Sequence, residues 1–156
     1  MNSDIQSKLD QLGITLDSPA AAAAGNYVPV LVVGDMVYVS GQLPMSNGAI
    51  ELTGRVGDTV SIEDAAKQAE LCAVAILRQV ATVSDNLKNV AQVIKLGGFV
   101  TSTPDFTAQP KVIDGASKVM LALFGDEGKH TRFAVGVSAL PLGAVVEIDA
   151  IFQLKS

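Results

Sequence analysis

The chain has no tryptophan, one cysteine and one histidine, and aromatic residues make up only 4% of its 156 positions. A core on this composition has to be built from Ala, Val, Leu and Ile. The single cysteine, Cys72, excludes an intrachain disulfide framework. The single histidine, His130, leaves no histidine constellation for a metal, and a Ser-His-Asp triad would rest on it as sole base without a local signature. Glycine-rich phosphate loops of the common types are missing. No apolar run approaches membrane-spanning length. The N-terminal MNSDIQSKLDQLGI lacks the basic and apolar regions of a signal peptide, so a cytoplasmic location is expected.

Charge is also scarce. Charged residues are 17% of the chain against 49% hydrophobic, with a mean hydropathy of +0.38. That is too little charge to cover the whole surface of a small monomer, so part of it is expected to be buried against another chain. The net charge of −5 argues against nucleic acid as a partner, because phosphate binding needs clustered Lys and Arg.

The pattern of what is present reads as one α+β domain over residues 1–156, with residues 1–24 as an N-terminal extension. Ile5, Leu9 and Leu12 fall at helical spacing over 2–12, and Gly13 suits the cap. PAAAAAGN (19–26) has no polar face and reads as a packed connector. NYVPVLVVGDMVYVSGQLP (26–44) predicts two strands turning at Gly34-Asp35, and NGAIELTGRVG (47–57) a third, shorter one. Ser61 followed by Glu63 and Asp64 opens a helix to about residue 82, with Ala65, Ala69, Cys72, Ala73, Ile76 and Val80 on one face. Cys72 on that face reads as a buried structural thiol. A strand follows at 90–102, where Gly97 and Gly98 suggest a bulge or a close approach. A helix over 110–124 presents Ile113, Ala116, Met120 and Leu123, and strands at 131–139 and 144–154 close the chain. Six strands and two main helices give one mixed sheet with helices on one face only. Oligomerisation is the economical cover for the other face.

Within the last two strands, Arg132, Glu147 and Asp149 interrupt apolar, β-branched sequence, and burying a charge is costly unless it is paired. Two readings stand side by side. In the first, Arg132 snorkels from a strand end, Glu147 and Asp149 occupy the solvent face of an edge strand, and Tyr27 and Ser40 are ordinary strand packing. In the second, these residues form a small polar site in an apolar cleft. There the planar fork of Arg132 captures a carboxylate, and a desolvated Glu147 holds or activates a water.

Four segments carry a resemblance to a known family. GNYVPV (25–30) is similar to a Gly-Pro-Tyr-Ser/Val-Gln-Ala segment, and VYVSGQLP (37–44) to a Val-Ser-Gly-Gln-Ile/Leu-Pro strand. FVTSTPDF (99–106) is similar to Val-Phe-Val-Thr-Asp-Met-x-Asp-Phe. HTRFAVGVSALPLGAVVEIDAIF (130–152) matches Ala-Arg-Ser-x-Val-x-Val-x-x-Leu-Pro-x-Gly-x-x-Val-Glu-Ile-Glu-Ala in order and spacing. Together, from about residue 25 onward, they resemble the RidA (YjgF) family of imine deaminases, whose members also carry the label endoribonuclease L-PSP.

The resemblance implies a fold like Bacillus chorismate mutase, with a six-stranded mixed sheet, two helices on one face, and a homotrimer with sites in clefts between subunits. It implies that the last strand lies inside the sheet and is not a simple hairpin partner of 131–139. Arg132 falls on the arginine that binds the substrate carboxylate, and Glu147 on the glutamate that positions the attacking water. Tyr27 falls on the cleft tyrosine, and Ser40 and Gly41 on the Ser-Gly lining it. Ala134 stands where the family often has cysteine and contributes main-chain groups. Asp114 stands near the family's helix asparagine, where a carboxylate would either repel an anionic ligand or pair with Arg132. No cofactor and no metal is implied. The activity implied is hydrolysis of 2-aminoacrylate-type enamino and 2-imino acids to 2-keto acids and ammonia. Two alternatives remain: a non-catalytic trimeric binder or sensor of small 2-imino or 2-keto carboxylates, and a ribonuclease or translation inhibitor, which the acidic charge balance makes the weakest. The longer loop and N-terminal helix mark a divergent subgroup.

Overall fold

The computed structural model describes residues 3–156. Helix α1 (Ser3–Leu12) precedes strands β1 (Val30–Val33), β2 (Met36–Gln42), β3 (Met45–Ser46) and β4 (Ala49–Ile50). Then come helix α2 (Ile62–Ala81), strand β5 (Val90–Thr101), helix α3 (Gln109–Phe124) and strands β6 (Thr131–Val137) and β7 (Val146–Leu154). Five strands form the main sheet in the order β1-β2-β7-β5-β6, and β3 and β4 form a separate two-stranded ribbon.

The six-stranded expectation is therefore corrected to five. Residues 47–57 supply no strand to the sheet, because Gly48, Gly54 and Gly57 all take positive φ and break the extended run. The last strand lies in the interior, antiparallel to both β2 and β5, while β6 runs parallel to β5 at the sheet edge. The edge-strand reading of Glu147 and Asp149 falls with that placement.

Helix α2 begins where the sequence places it. The Ser61 hydroxyl accepts a 3.1 Å hydrogen bond from the Asp64 amide, and Glu63 and Asp64 meet the positive end of the helix dipole. Its predicted apolar face is fully buried, as are Ile113, Ala116, Met120 and Leu123 of α3. Both helices cover one side of the sheet. Val146, Ile148, Ala150 and Phe152 of β7 point into that core, so the alternating Glu147, Asp149, Ile151 and Gln153 point to the other side. Cys72 is buried in the core, 3.7 Å from the Val146 carbonyl, and burial pushes its thiol well up, which suits an inert thiol.

Helix α1 packs on α3 through a buried Leu9, and Gly13 at φ 66° ends it. Leu12 does not join the buried face; it is exposed. The alanine connector also departs from expectation. Most of Ala20–Ala24 is exposed in the single chain, and the connector is tied down by one bond, from Gln79 Nε2 to the Ala21 carbonyl at 2.7 Å. In β5 the register shifts fall between Val90 and Gln92 and between Val93 and Lys95, not at the glycine pair. Gly97 and Gly98 are close-approach positions instead: a β-carbon on Gly98 would meet Ile113 of α3.

Candidate functional site

The predicted site residues gather in two places. The first lies where edge strand β6 meets α3. Arg132 pairs in register with Leu96, which is buried under the helices, so its side chain projects to the helix side. There Nη1 donates to Asp114 Oδ1 at 2.9 Å and to Ser117 Oγ at 3.0 Å, and Nη2 donates to the Pro110 carbonyl at 3.3 Å. Asp114 and Ser117 are three residues apart, and Pro110 four before Asp114, so α3 offers all three acceptors from one face. A guanidinium has five N–H donors. Three are engaged among the described residues, which leaves two for a ligand.

The chain of bonds continues inward. Ser117 Oγ lies 2.9 Å from His130 Nε2, and His130 Nδ1 lies 2.6 Å from the Gly128 carbonyl. A carbonyl only accepts, so Nδ1 carries the proton and, in the neutral ring, Nε2 accepts from the Ser117 hydroxyl. That hydroxyl is then free to accept from Arg132. His130 and Ser117 thus fix Arg132 from behind, a role the sequence reading did not assign to either. The available signal was the spacing: Ser117 one turn after Asp114, and His130 two residues before Arg132. Ala134 lies on the same edge strand and side, packed against the core. On an edge strand, the main-chain groups facing away from β5 have no strand partner.

The second cluster lies on the helix-free side of the sheet. Glu147 sits against Gly41, where a β-carbon would overlap its carboxylate. Asp149 sits against Gly97 in the same way. The two glycines therefore make the room that two carboxylates need on a central strand. Burial raises the Glu147 carboxyl above its ordinary value, and the neighbouring Asp149 adds to the shift. Burial also raises Asp149, opposed by the Lys95 charge and by a backbone hydrogen bond from Gly97.

Beside them, Tyr27, Val28, Leu31, Tyr38, Ser40 and Asp149 line a shallow cavity of about 450 Å³. The Ser40 hydroxyl donates to the Val28 carbonyl at 2.9 Å, and the Ser40 amide to the Pro29 carbonyl at 2.9 Å, which fastens the Tyr27 segment to the sheet. Tyr27 itself is 53% exposed. Asp149, to which the sequence reading gave no role, lines this cavity.

Tyr27, Ser40, Gly41 and Glu147 are thus brought to one side of the sheet, and Arg132, Asp114 and Ala134 to the other. Within a single chain the sheet separates Arg132 from Glu147. Chemically, the first cluster is a guanidinium with N–H groups able to hold a carboxylate and with a counter-charge, Asp114, already beside it. The second is a pair of proton-accepting groups next to an apolar concavity.

Comparison with known proteins adds a family and relatives. Residues 6–154 match the family model described as "YjgF/chorismate_mutase-like, putative endoribonuclease". The chain is 40% identical to protein TCP17 of Trypanosoma cruzi over 153 residues, covering 97% of this chain and 95% of that one. The solved structure of Atu1372 from Agrobacterium tumefaciens, a protein of unknown function, superposes with a TM-score of 0.89 at 45% identity, over 99% of this chain and 96% of the other. The structure of E. coli TdcF with bound serine superposes with a TM-score of 0.60 at 27% identity, over 91% and 96%.

Proposed function

Since the chain belongs to the YjgF/RidA family, we propose that it hydrolyses reactive 2-imino acids, including those formed from 2-aminoacrylate, to 2-keto acids and ammonia. The reaction takes place in clefts between copies of a homotrimer. The observation that carries this reading is the division of the site. Arg132 offers two free N–H groups at the sheet edge, and Glu147, with a raised carboxyl, stands on the uncovered side of the same sheet. Neither half is a site by itself, and association of copies is what joins Arg132 of one to Glu147 of the next. The helix-free side also exposes Leu31, Val33, Tyr38 and Val135, apolar area that association would cover.

The chemistry asks little of the protein. A protonated 2-imino acid is electrophilic at C2. Arg132 holds its carboxylate, and Glu147 orients a water and takes a proton as oxygen bonds to C2. The C2–N bond of the resulting carbinolamine then breaks as nitrogen leaves with the returned proton. In sum, the iminium and one water give the keto group and ammonium. A carboxylate raised toward neutrality is a stronger base than an ordinary one, which suits this task.

A second reading, a trimeric binder of small carboxylates without turnover, is supported by the serine held by TdcF. Ribonuclease activity, the label in the family description, fits a chain of net charge −5 poorly. Supplying 2-aminoacrylate in situ from a dehydratase and following keto-acid release tests the deaminase reading. Acceleration by the wild type that is lost in Arg132→Ala and Glu147→Ala is expected. Arg132-dependent binding of 2-ketobutyrate with no acceleration would favour the binder.

A further inference from the structure

We infer that Asp114 makes the Arg132 site selective for zwitterions, so that it prefers a small acid with a cationic nitrogen at C2 over the matching 2-keto acid. The inference rests on the reading of Arg132 as a carboxylate anchor, and it names what that anchor selects. Arg132 is not a bare positive charge. Its Nη1 is held by Asp114 Oδ1 at 2.9 Å, and the Asp114 side chain is 51% exposed against 21% for Arg132. The pair therefore presents a cation and an anion side by side at the surface, with Asp114 the more accessible of the two.

A plain carboxylate approaching the two free N–H groups of Arg132 gains hydrogen bonds, but it meets the Asp114 charge a few ångströms beyond. The net field of the pair is near zero, so the long-range attraction is largely cancelled. A ligand whose carboxylate is followed one carbon later by an ammonium or iminium matches both charges: carboxylate on Arg132, nitrogen on the unshared lone pairs of Asp114. Ser117 and His130 hold Nη1 in place from the other side, so Arg132 keeps its orientation when Asp114 turns to a ligand nitrogen. For a deaminase the consequence is useful: the substrate is the zwitterion and the keto-acid product is not, so the product is not retained.

The test compares L-2-aminobutyrate with 2-ketobutyrate, which have the same carbon chain and differ at C2. Affinities are measured by calorimetry on the full chain for wild type, Asp114→Asn, Asp114→Glu and Arg132→Ala. Asp114→Asn keeps an acceptor for Nη1 and removes the charge. It is expected to tighten 2-ketobutyrate and weaken 2-aminobutyrate, moving their affinity ratio by about 10-fold or more in favour of the keto acid. Asp114→Glu keeps the charge and is expected to retain most of the wild-type preference, while Arg132→Ala loses both ligands. Binding that depends on Arg132 with a ratio unchanged in Asp114→Asn overturns the selectivity and leaves the anchor standing. Ligand binding that survives in Arg132→Ala overturns the anchor and the selectivity together.

Discussion

Gly41 of β2 lies against the Glu147 carboxylate so closely that a β-carbon on the glycine would occupy the carboxylate's place. The obstacle is the far end of a flexible side chain, with the Glu147 Cδ and Cγ also in the way, so the glutamate is the partner that would yield. Gly41→Ala is accordingly expected to cost less than about 1 kcal/mol of stability. On the deaminase reading proposed above, the rate should fall nonetheless, by about 10-fold or more, because the carboxylate proposed to act as base is displaced. Urea unfolding and the coupled dehydratase assay report the two effects separately. Full activity in Gly41→Ala would show that the Glu147 position seen here is not the working one.

Gly115 of α3 gives the opposite outcome. A β-carbon there would meet the main-chain carbonyl of Ala66 in α2, and neither backbone yields without separating the helices. Overpacking of this kind costs roughly 1–3 kcal/mol or more, offset by the roughly 1 kcal/mol that alanine gains over glycine in a helix. Gly115→Ala is expected to lower the urea midpoint by a net destabilisation of up to about 2 kcal/mol, while the same substitution at Gly13, just past α1, meets no atom and is strained only by its positive φ. Equal effects at both positions would mean that α2 and α3 are not packed as closely as Gly115 implies.

These glycines show which parts of the structure the sequence carries. Helical periodicity locates the buried faces of α2 and α3, because each apolar residue there answers only to local geometry. The Gly97-Gly98 pair signals close approach, but not to what. Its neighbours, Asp149, Phe133 and Ile113, come from three other elements. The run at 47–57 alternates as a strand does, but only Ala49–Ile50 is a strand, paired with β3 outside the main sheet, because the glycines at positive φ on either side break the extended run. The interior place of β7 is invisible to pattern and followed only from the family resemblance, since a strand cannot state its partners. The role of Glu147 is likewise illegible from alternation alone, which puts it opposite Ile148 but does not say whether that side meets water, another chain or a ligand.

Stability should depend on pH through the paired carboxylates. Burial raises both Glu147 and Asp149, so the folded chain binds their protons more tightly than the unfolded chain does. Folding is then favoured while both are protonated. That contribution is lost as pH rises from the ordinary values, 4.5 for Glu and 3.8 for Asp, through the raised ones. Glu147→Gln removes the glutamate's share, so the fall in unfolding midpoint above pH 4.5 should be shallower than in the wild type. Urea midpoints over a pH series check this. An identical slope in the two proteins would mean that Glu147 is as well solvated folded as unfolded.

The separation of Arg132 from Glu147 by their own sheet makes one further outcome decisive for the proposed assembly. If the working site takes its arginine from one copy and its glutamate from the next, Arg132→Ala and Glu147→Ala chains are each inactive but complementary. Unfolding them together and refolding at equal amounts gives trimers in random mixture. A site is intact wherever a copy that keeps its arginine meets, in the right order, a copy that keeps its glutamate. In a closed ring with heterologous contacts that arrangement occurs at roughly a quarter of the interfaces. Keto-acid release near that fraction of the wild-type rate is expected, with no activity when the two variants are mixed without unfolding and do not exchange subunits. If the arginine and glutamate of one site came from a single chain, every site in the mixture would lack one of them. Refolding together would then restore nothing, and the shared-cleft reading would have to be given up.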